Sequence, residues 1–253
     1  MLNYVLIFIV FLVIIFALPK FNALMAGGAS GAYDEINKML FEATGYRHKA
    51  IREQPMEEQI AFSNKLTQEQ IKTGTMNMEL IRSFEGYDII HHQSQQMVGS
   101  SMSLSASWQI NLINQPAALF HLAEKNINSF RKELTSGFSR DFQPNYETEL
   151  TITDPELSKR FAAWGNSQEW LDYFLSQVGI REELLSLKEV DLCVYQNQII
   201  FSDPTQANLR DAMGGTAGMM AAAGNLTKMT KLQITFHEKM AHFLSNSAKI
   251  LNA

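Results

Sequence analysis

The first nineteen residues of this 253-residue chain form an almost unbroken apolar run. Met1–Pro19 contains no charged side chain, and Asn3 is its one polar residue. As a helix with about 1.5 Å of rise per residue, this run is roughly 28 Å long, close to the roughly 30 Å hydrocarbon core of a bilayer. The sequence therefore predicts one transmembrane helix over residues 1–19, with the membrane-spanning positions Tyr4, Leu6, Phe8, Val10, Leu12, Ile14, Phe16 and Leu18.

Two alternatives stay open for this segment. A secretory signal peptide has a cationic start and a shorter apolar core, which this run lacks, although the small residues at 23–28 would let a peptidase cut there. Cleavage near Ala26 would make the mature protein soluble and exported. A buried core helix normally shows a polar face, and this run shows none. The favoured interpretation is an uncleaved single-pass anchor.

The flanking charges predict the orientation of the anchor. Only the terminal amine precedes the span, whereas Lys20 and Lys38 follow it closely. The positive-inside rule then places the short N-terminus outside and the C-terminal domain in the cytoplasm, at the inner (cytoplasmic) membrane. The single Cys193 allows no internal disulfide, which fits a reducing compartment.

Composition limits the class of the remaining chain. At 46% hydrophobic and 19% charged residues, it can build a core. A net charge of -5 and a pI of about 5.7 argue against a nucleic-acid partner, since such domains carry a basic stripe. We expect a juxtamembrane linker at 20–31, an α+β globular domain at 32–211, and an Ala/Met/Gly-rich segment with a C-terminal helix at 212–253.

Helical spacing of apolar residues predicts helices at about 32–45 and 55–73, the first ending at Gly45. A further helix starts at Asp154-Pro155 and is predicted to run to Gly165. Ser167 is expected to cap the next one, and a long C-terminal helix is predicted at about 225–251. A helix is also predicted at about 124–134.

Alternation of apolar and polar residues predicts the strands. Residues 78–84 and 87–91 flank a turn at Glu85-Gly86, and a second hairpin is centred on Gln196-Asn197. The clearest strand, at 101–112, puts Trp108 and its even-numbered neighbours on one face and the serines on the other. The predicted fold class is α+β: an N-terminal transmembrane helix, an antiparallel sheet with helices packed on one side, and a long C-terminal helix.

The middle of the chain, about residues 76–203, resembles bacterial single-pass membrane-anchored proteins of unknown function with a cytoplasmic α+β domain. The resemblance lies in LTITDPELSKRFAAWGNSQEW, the following Leu-rich helix and VDLCVYQNQIIFSD. It implies the fold class and the anchored topology, and it brings no catalytic residue with it.

The candidate motifs for catalysis, metal binding or nucleotide binding lack the spacing or the context that this chemistry needs. His237 and His242 lie five residues apart, about 140° around a helix, whereas two zinc ligands on one helical face need four. They are expected to be partly exposed. His91 and His92 are neighbours on a strand and so face opposite ways, one half-buried and one exposed. The Gly-rich MGGTAGMM lacks the preceding strand of a phosphate cradle. No catalytic residue, cofactor or metal ligand is predicted.

The C-terminal third suggests contacts instead. Gly214, Gly218 and Ala222 have the small-xxx-small spacing that allows close helix contact, though a flexible loop is the simpler reading of this segment. Phe236, Met240 and Phe243 line a helix that would either close the domain or pair with a sister chain. The expected partners are the lipid bilayer and either a second copy or another membrane-complex protein.

Three functions follow in order of preference. The first is a membrane-anchored structural or accessory subunit that acts through protein–protein interaction or self-assembly. The second is a membrane-tethered sensor that holds a small ligand against the sheet face around Trp108. The third is an enzyme of unrecognised type, because an active site needs no short motif.

Overall fold

Within the residues that the computed structural model of the protein describes, nine antiparallel strands form one sheet in the order β1-β2-β3-β4-β9-β8-β5-β7-β6. The structure describes residues 37–73, 75–98, 101–114, 119–125, 148–195, 197–202 and 226–252. The strands are β1 Arg47–His48, β2 Thr75–Phe84, β3 Tyr87–Val98, β4 Ser101–Asn111, β5 Phe120–Glu124, β6 Glu149–Leu150, β7 Phe161–Gly165, β8 Asp191–Tyr195 and β9 Gln198–Ser202.

Six α-helices accompany the sheet in the described ranges. They are α1 at 37–44, α2 Met56–Thr73, α3 Pro155–Arg160, α4 Gln168–Ser176, α5 Ile180–Ser186 and α6 Leu226–Asn252, with a 3₁₀ turn at Lys49–Ile51. The α+β class and the long C-terminal helix are therefore confirmed.

One row of cross-strand partners runs through all nine strands on the core face of the sheet. In sheet order it contains His48, Leu80, His91, Trp108, Phe201, Leu192, Leu122, Ala163 and Leu150. Every member is buried. Because alternate residues of a strand face opposite ways, this row fixes which side of each strand meets the core.

The helices pack on this face. Phe243 of α6 meets Phe201 edge-on at 5.4 Å between ring centroids, and Phe174 of α4 packs on Phe120 at 5.3 Å. At the other end of the row, Phe62 of α2 meets His48 at 4.9 Å. Burial of these apolar side chains is the main stabilising contribution to the fold.

The neighbouring row lies on the second face of the sheet and is only partly covered. It contains Arg47, Ile81, Ile90, Gln109, Ile200, Cys193, His121, Trp164 and Glu149. Ile81 and Ile90 are buried, Glu149 is exposed, and the others are intermediate. The second face is thus a mixed apolar and polar surface.

Both predicted hairpins are present. Glu85 (φ 50°) and Gly86 (φ 87°) form the two-residue turn between β2 and β3, with backbone conformations typical of tight hairpin turns. The helix predicted over 55–73 is α2, and Gly45 (φ 72°) donates its N–H to the Phe41 carbonyl to end α1. The cap at Asp154 is confirmed, because its side chain accepts from the N–H groups of Glu156 and Leu157.

The prediction that the α3 helix reaches Gly165 is wrong. The helix ends at Arg160, and residues 161–165 form β7 between β5 and β6. Phe161 and Trp164 lie three apart, which matches a helix, but the five residues alternate buried and half-buried as a strand does. Two neighbouring strands are available to pair with them, and these contacts decide the conformation. Glu124, predicted to start a helix, ends β5 instead.

The predicted transmembrane helix at 1–19, the linker at 20–31 and most of the helix predicted at 124–134 lie outside the described residues. Among the helices that the structure does describe, none has the length and hydropathy needed to cross a bilayer.

Candidate functional site

A cluster of five aromatic side chains lies between the middle of the sheet and α6. The ring cluster consists of Tyr46, His91, Trp108, Phe236 and His237. The core-face row supplies His91 from β3 and Trp108 from β4 as cross-strand partners, and α6 supplies Phe236 and His237. All five are buried.

The rings of this cluster hold one another in place. The imidazole of His91 stacks on Trp108 with centroids 4.8 Å apart and planes at 23°. His237 stands edge-on to three rings, at 5.4 Å from His91, 5.4 Å from Trp108 and 5.5 Å from Tyr46. The indole Nε1–H of Trp108 donates to the hydroxyl of Tyr46 at 3.2 Å. Edge-to-face and stacked pairs of this kind contribute beyond their buried area.

A buried ion pair borders the ring cluster. Arg82 of β2 donates from Nη1 to Oε1 of Glu238 at 2.8 Å, and its guanidinium carbon lies 5.5 Å from the Tyr46 ring centre. The Arg82 side chain is 9% exposed, so Glu238 is needed to balance its charge. The pair joins the second strand to the C-terminal helix.

A third buried histidine, His48, begins the core-face row at its other end. Its Nε2 lies 2.6 Å from the Ser63 hydroxyl of α2, and its backbone N–H donates to Oε1 of Gln59 at 2.8 Å. Burial lowers the pKa of His48 from 6.5 to about 4. At neutral pH this imidazole is uncharged.

The face around Trp108 is filled by the protein's own side chains. Trp108 is 0% exposed, and His91, Phe236 and His237 occupy the volume in which a ligand-binding sensor would hold its ligand. The chemistry of the ring cluster is therefore that of a packed core that fixes α6 on the sheet.

Polar pairs occupy the second face of the sheet. His121 Nε2 lies 2.6 Å from Asp191 Oδ1, and the Ser202 hydroxyl donates to Asp191 Oδ2 at 3.3 Å. Further along, His92 Nδ1 lies 3.0 Å from Glu79 Oε1. Burial lowers the pKa of His92, and the Glu79 carboxylate opposes that shift. The histidines on this face are thus each held by an acid on a neighbouring strand.

A surface cleft of about 700 Å³ lies beside α4 and α5. Its one arginine, Arg181, donates to Asp154 at 2.8 Å and to Glu156 at 2.6 Å. The N–H of Leu157 and then the Arg181 guanidinium hold the pKa of Asp154 below its usual value. Because the guanidinium already pairs with two carboxylates, the cleft offers no uncompensated cation for an anionic ligand.

The structure places the predicted interaction residues in two groups. Phe236, Met240 and Phe243 are buried in the chain's own core, so of the two roles expected for the C-terminal helix it takes the first and closes the domain. These side chains are covered and do not form an external contact surface in this fold. Gly214, Gly218 and Ala222 lie outside the described residues.

The predictions for the histidines are confirmed in part and wrong in part. His91 and His92 do face opposite ways, since His91 joins the ring cluster and His92 pairs with Glu79. Their predicted exposure is wrong, because His91 is buried and His92 is half-buried. His237 was expected to be partly exposed, and this is wrong, because the sheet buries it among the rings. His242 is exposed and meets Phe84, away from His237.

Tyr46 and Glu238 are not among the residues that the sequence predicts to form a site. The alternation of β2 places Arg82 at an inward position, and a buried cation needs an acid partner, so some buried acid could have been expected. Nothing local identifies Glu238 as that acid, since it is 156 residues away.

Across the described ranges, no group of three or more His, Cys, Asp and Glu side chains is placed to hold a metal ion. Neither a family model, nor a curated protein, nor a solved structure matches the chain.

Proposed function

We propose that this protein is a structural or accessory subunit, anchored in the inner membrane by residues 1–19, that acts through protein–protein contact or self-assembly. The observation that carries the proposal is a three-stranded part of the sheet that continues past its neighbours. We call it the sheet extension and define it as Thr75–Met78, Gln93–Val98 and Ser101–Ala106.

The register defines the extension. The ladder between β3 and β4 continues from Ile89↔Ile110 to Val98↔Ser101, and β2 pairs with β3 as far as Thr75↔Gln96. In contrast, β9 pairs with β4 only from Asn111 to Ser107. Three strands therefore continue where the rest of the sheet has stopped.

The extension carries almost no charge. From Ile89 to Ala123 the chain contains no Lys, Arg, Asp or Glu. Soluble proteins usually protect exposed strand edges with charged residues, especially Lys, because an unprotected edge is a template for another strand. A neutral extension of this kind suits a surface that is covered in an assembly.

The ring cluster and the predicted anchor support the same role. The buried aromatic and ionic groups serve to fix α6 on the sheet, which makes a rigid domain. An anchor followed by a Gly/Ala linker would hold that domain close to membrane partners, where local concentration favours assembly.

The test is the mass of the native particle. We expect the full-length protein, extracted from membranes with mild detergent, to run as an oligomer or with a copurifying protein when its mass is measured by native mass spectrometry. A monomer with no companion contradicts the assembly role. Resistance to carbonate extraction tests the anchor, and release of the protein by carbonate contradicts it.

The orientation needs a separate measurement. We expect protease added to inside-out vesicles to digest the domain, and protease added to right-side-out vesicles to leave it intact. The opposite pattern places the domain outside the cytoplasm.

A further inference from the structure

We propose that the outer edge of β4, Ser101–Ala106, pairs with the same edge of a second copy of this chain. The inference rests on the proposed function and deepens it, because it names both the surface and the partner.

The β4 edge is open on one side. Its inner side pairs with β3 along Val98↔Ser101 to Gln93↔Ala106. On its outer side, no strand in the described part of the chain pairs with it beyond Ser107↔Ser202.

The opposite edge of the extension is not equivalent. On the outer side of β2, β1 pairs at Leu80 and Ile81, and next to the extension Glu79 forms an ion pair with Lys49 at 3.2 Å. Charged side chains beside an edge are one of the ways in which proteins prevent further strand addition. Of the two outer strands of the extension, β4 is the one that contains no charged residue.

Charge selects the partner. The segment SMSLSA has no charge to complement, so neither a basic nor an acidic partner strand gains from approaching it. A second copy presents the same neutral strand, and the new ladder then removes no charged group from water. The absence of Lys and Arg also disfavours an anionic lipid surface as the occupant.

Geometry makes this pairing self-limiting. Two identical antiparallel strands are related by a two-fold axis, so the contact closes as a dimer and leaves no free copy of the same edge. In an antiparallel ladder the outward N–H and C=O groups come from alternate residues. Two opposed residues either both face the partner strand and exchange N–H···O=C bonds, or both face away from it. On identical strands, opposed residue numbers must therefore both be odd or both be even.

The sequence agrees with that rule. Odd positions of the segment are serines, at 101, 103 and 105, and even positions are Met102, Leu104 and Ala106. The allowed registers place serine opposite serine and apolar residue opposite apolar residue. One residue near the middle of the segment then lies on the two-fold axis opposite its own copy.

Cysteine cross-linking of the full-length protein in native membranes tests the contact. In a Cys193→Ala background, single cysteines are placed at each position from Ser101 to Ala106, with Val178→Cys as the control because that side chain is fully exposed on another surface. We expect a disulfide-linked dimer to peak at one position, roughly fivefold or more above the control, because a disulfide needs Cα atoms within about 7 Å. Equal yields at all positions and at Val178 overturn the proposal.

A charge variant gives an independent measurement. Ser103→Lys/Ser105→Lys places like charges across the contact, whereas Ser103→Thr/Ser105→Thr keeps it neutral and favours a strand. We expect the native mass to fall to that of a monomer in the lysine variant and to stay dimeric in the threonine variant, with the same circular dichroism. A lysine variant that remains a dimer overturns the proposal.

The outcomes separate this inference from the proposed function. An oligomer without cross-links at the β4 edge overturns the inference and leaves the assembly role standing. A different protein that copurifies and is lost in the lysine variant, with no self-cross-link, also overturns it, because the edge then binds another chain. A monomer with no companion contradicts both.

Discussion

Arg82 and Glu238 form a two-pronged ion pair between the second strand and the C-terminal helix. Nη1 lies 2.8 Å from Oε1 and Nη2 lies 3.4 Å from Oε2. The arginine is almost completely buried, whereas the glutamate is about one-third exposed. The pair therefore joins parts of the chain that are distant in sequence at the border of the ring cluster.

Removal of one partner is expected to cost more than removal of both. Glu238→Ala leaves a buried guanidinium without its counter-charge, which we expect to lower the free energy of unfolding by roughly 2–4 kcal/mol. The double variant Arg82→Met/Glu238→Met removes the charge as well and is expected to cost less. Urea unfolding followed by tryptophan fluorescence measures both. A double variant that is less stable than Glu238→Ala contradicts this account.

His48 is expected to make stability depend on pH. Its pKa in the folded protein is about 4, below the 6.5 of the free side chain, because burial disfavours the charged form. The unfolded chain therefore binds the proton more readily, so the contribution is fully present above pH 6.5 and is lost as the pH falls towards 4. As the pH falls through this interval, the linked loss in the free energy of unfolding is on the order of 3 kcal/mol.

The measurement compares the wild type with His48→Gln between pH 4 and 7. Asp88 also has a lowered pKa, through hydrogen bonds from Ser83 and Arg52, and adds acid sensitivity of its own. Only the difference between the two proteins belongs to His48, and we expect the wild type to lose more stability over this interval. Parallel curves, or an NMR titration of His48 near pH 6.5, exclude the assignment.

The sequence predicts those parts of the fold whose signals are local. Glu85-Gly86 between two alternating runs identified the first hairpin, and the cap at Asp154 identified the start of α3. Both depend on residues a few positions apart. Residues 161–165 were assigned to the wrong element because five residues fit a helix and a strand equally well. Their conformation depends on β5 and β6, which the local sequence does not reveal.

The ring cluster shows the same limit more strongly. The alternation of residues in β3 and β4 correctly places His91 and Trp108 on one face of each strand, and in the structure both lie on the core face. The contact of His237 with them depends on how α6 crosses the sheet. Helical periodicity gives the apolar stripe of α6, but it does not show that a histidine beside that stripe becomes buried.

Trp108 is expected to be the most costly ring of the cluster to shorten. Trp108→Phe reduces the stacking surface for His91, removes the N–H donated to Tyr46, and leaves a cavity in a fully buried site. We expect a loss of roughly 2–3 kcal/mol in the free energy of unfolding. Tyr46→Phe removes one hydroxyl and is expected to cost about 1 kcal/mol.

The matched control is Trp170→Phe, because Trp170 is a partly buried tryptophan on α4 that packs at the edge of the core. Its substitution is expected to cost less than Trp108→Phe in the same urea titration, followed by circular dichroism so that the loss of a fluorophore does not matter. Equal costs for the two tryptophans argue against a special role for the ring cluster.

Gly165 is the last residue of β7 and lies in close contact with the backbone at the start of β5. A Cβ atom at this position would overlap the carbonyl oxygen of Leu119 and approach the Cα of Phe120 at 3.0 Å. Both are backbone atoms at the start of β5, so a rotamer change cannot relieve the overlap. Gly165→Ala must therefore shift β5 or β7, whose ladder pairs Phe120 with Gly165. We expect Gly165→Ala to lower the free energy of unfolding, measured by chemical denaturation, by roughly 2–3 kcal/mol.

Gly86→Ala is the comparison. Gly86 has open space around it, and only its φ of +87° disfavours alanine. We expect this variant to lose about 1 kcal/mol. A Gly165→Ala protein as stable as Gly86→Ala would mean that the two strands lie farther apart than they do in this structure.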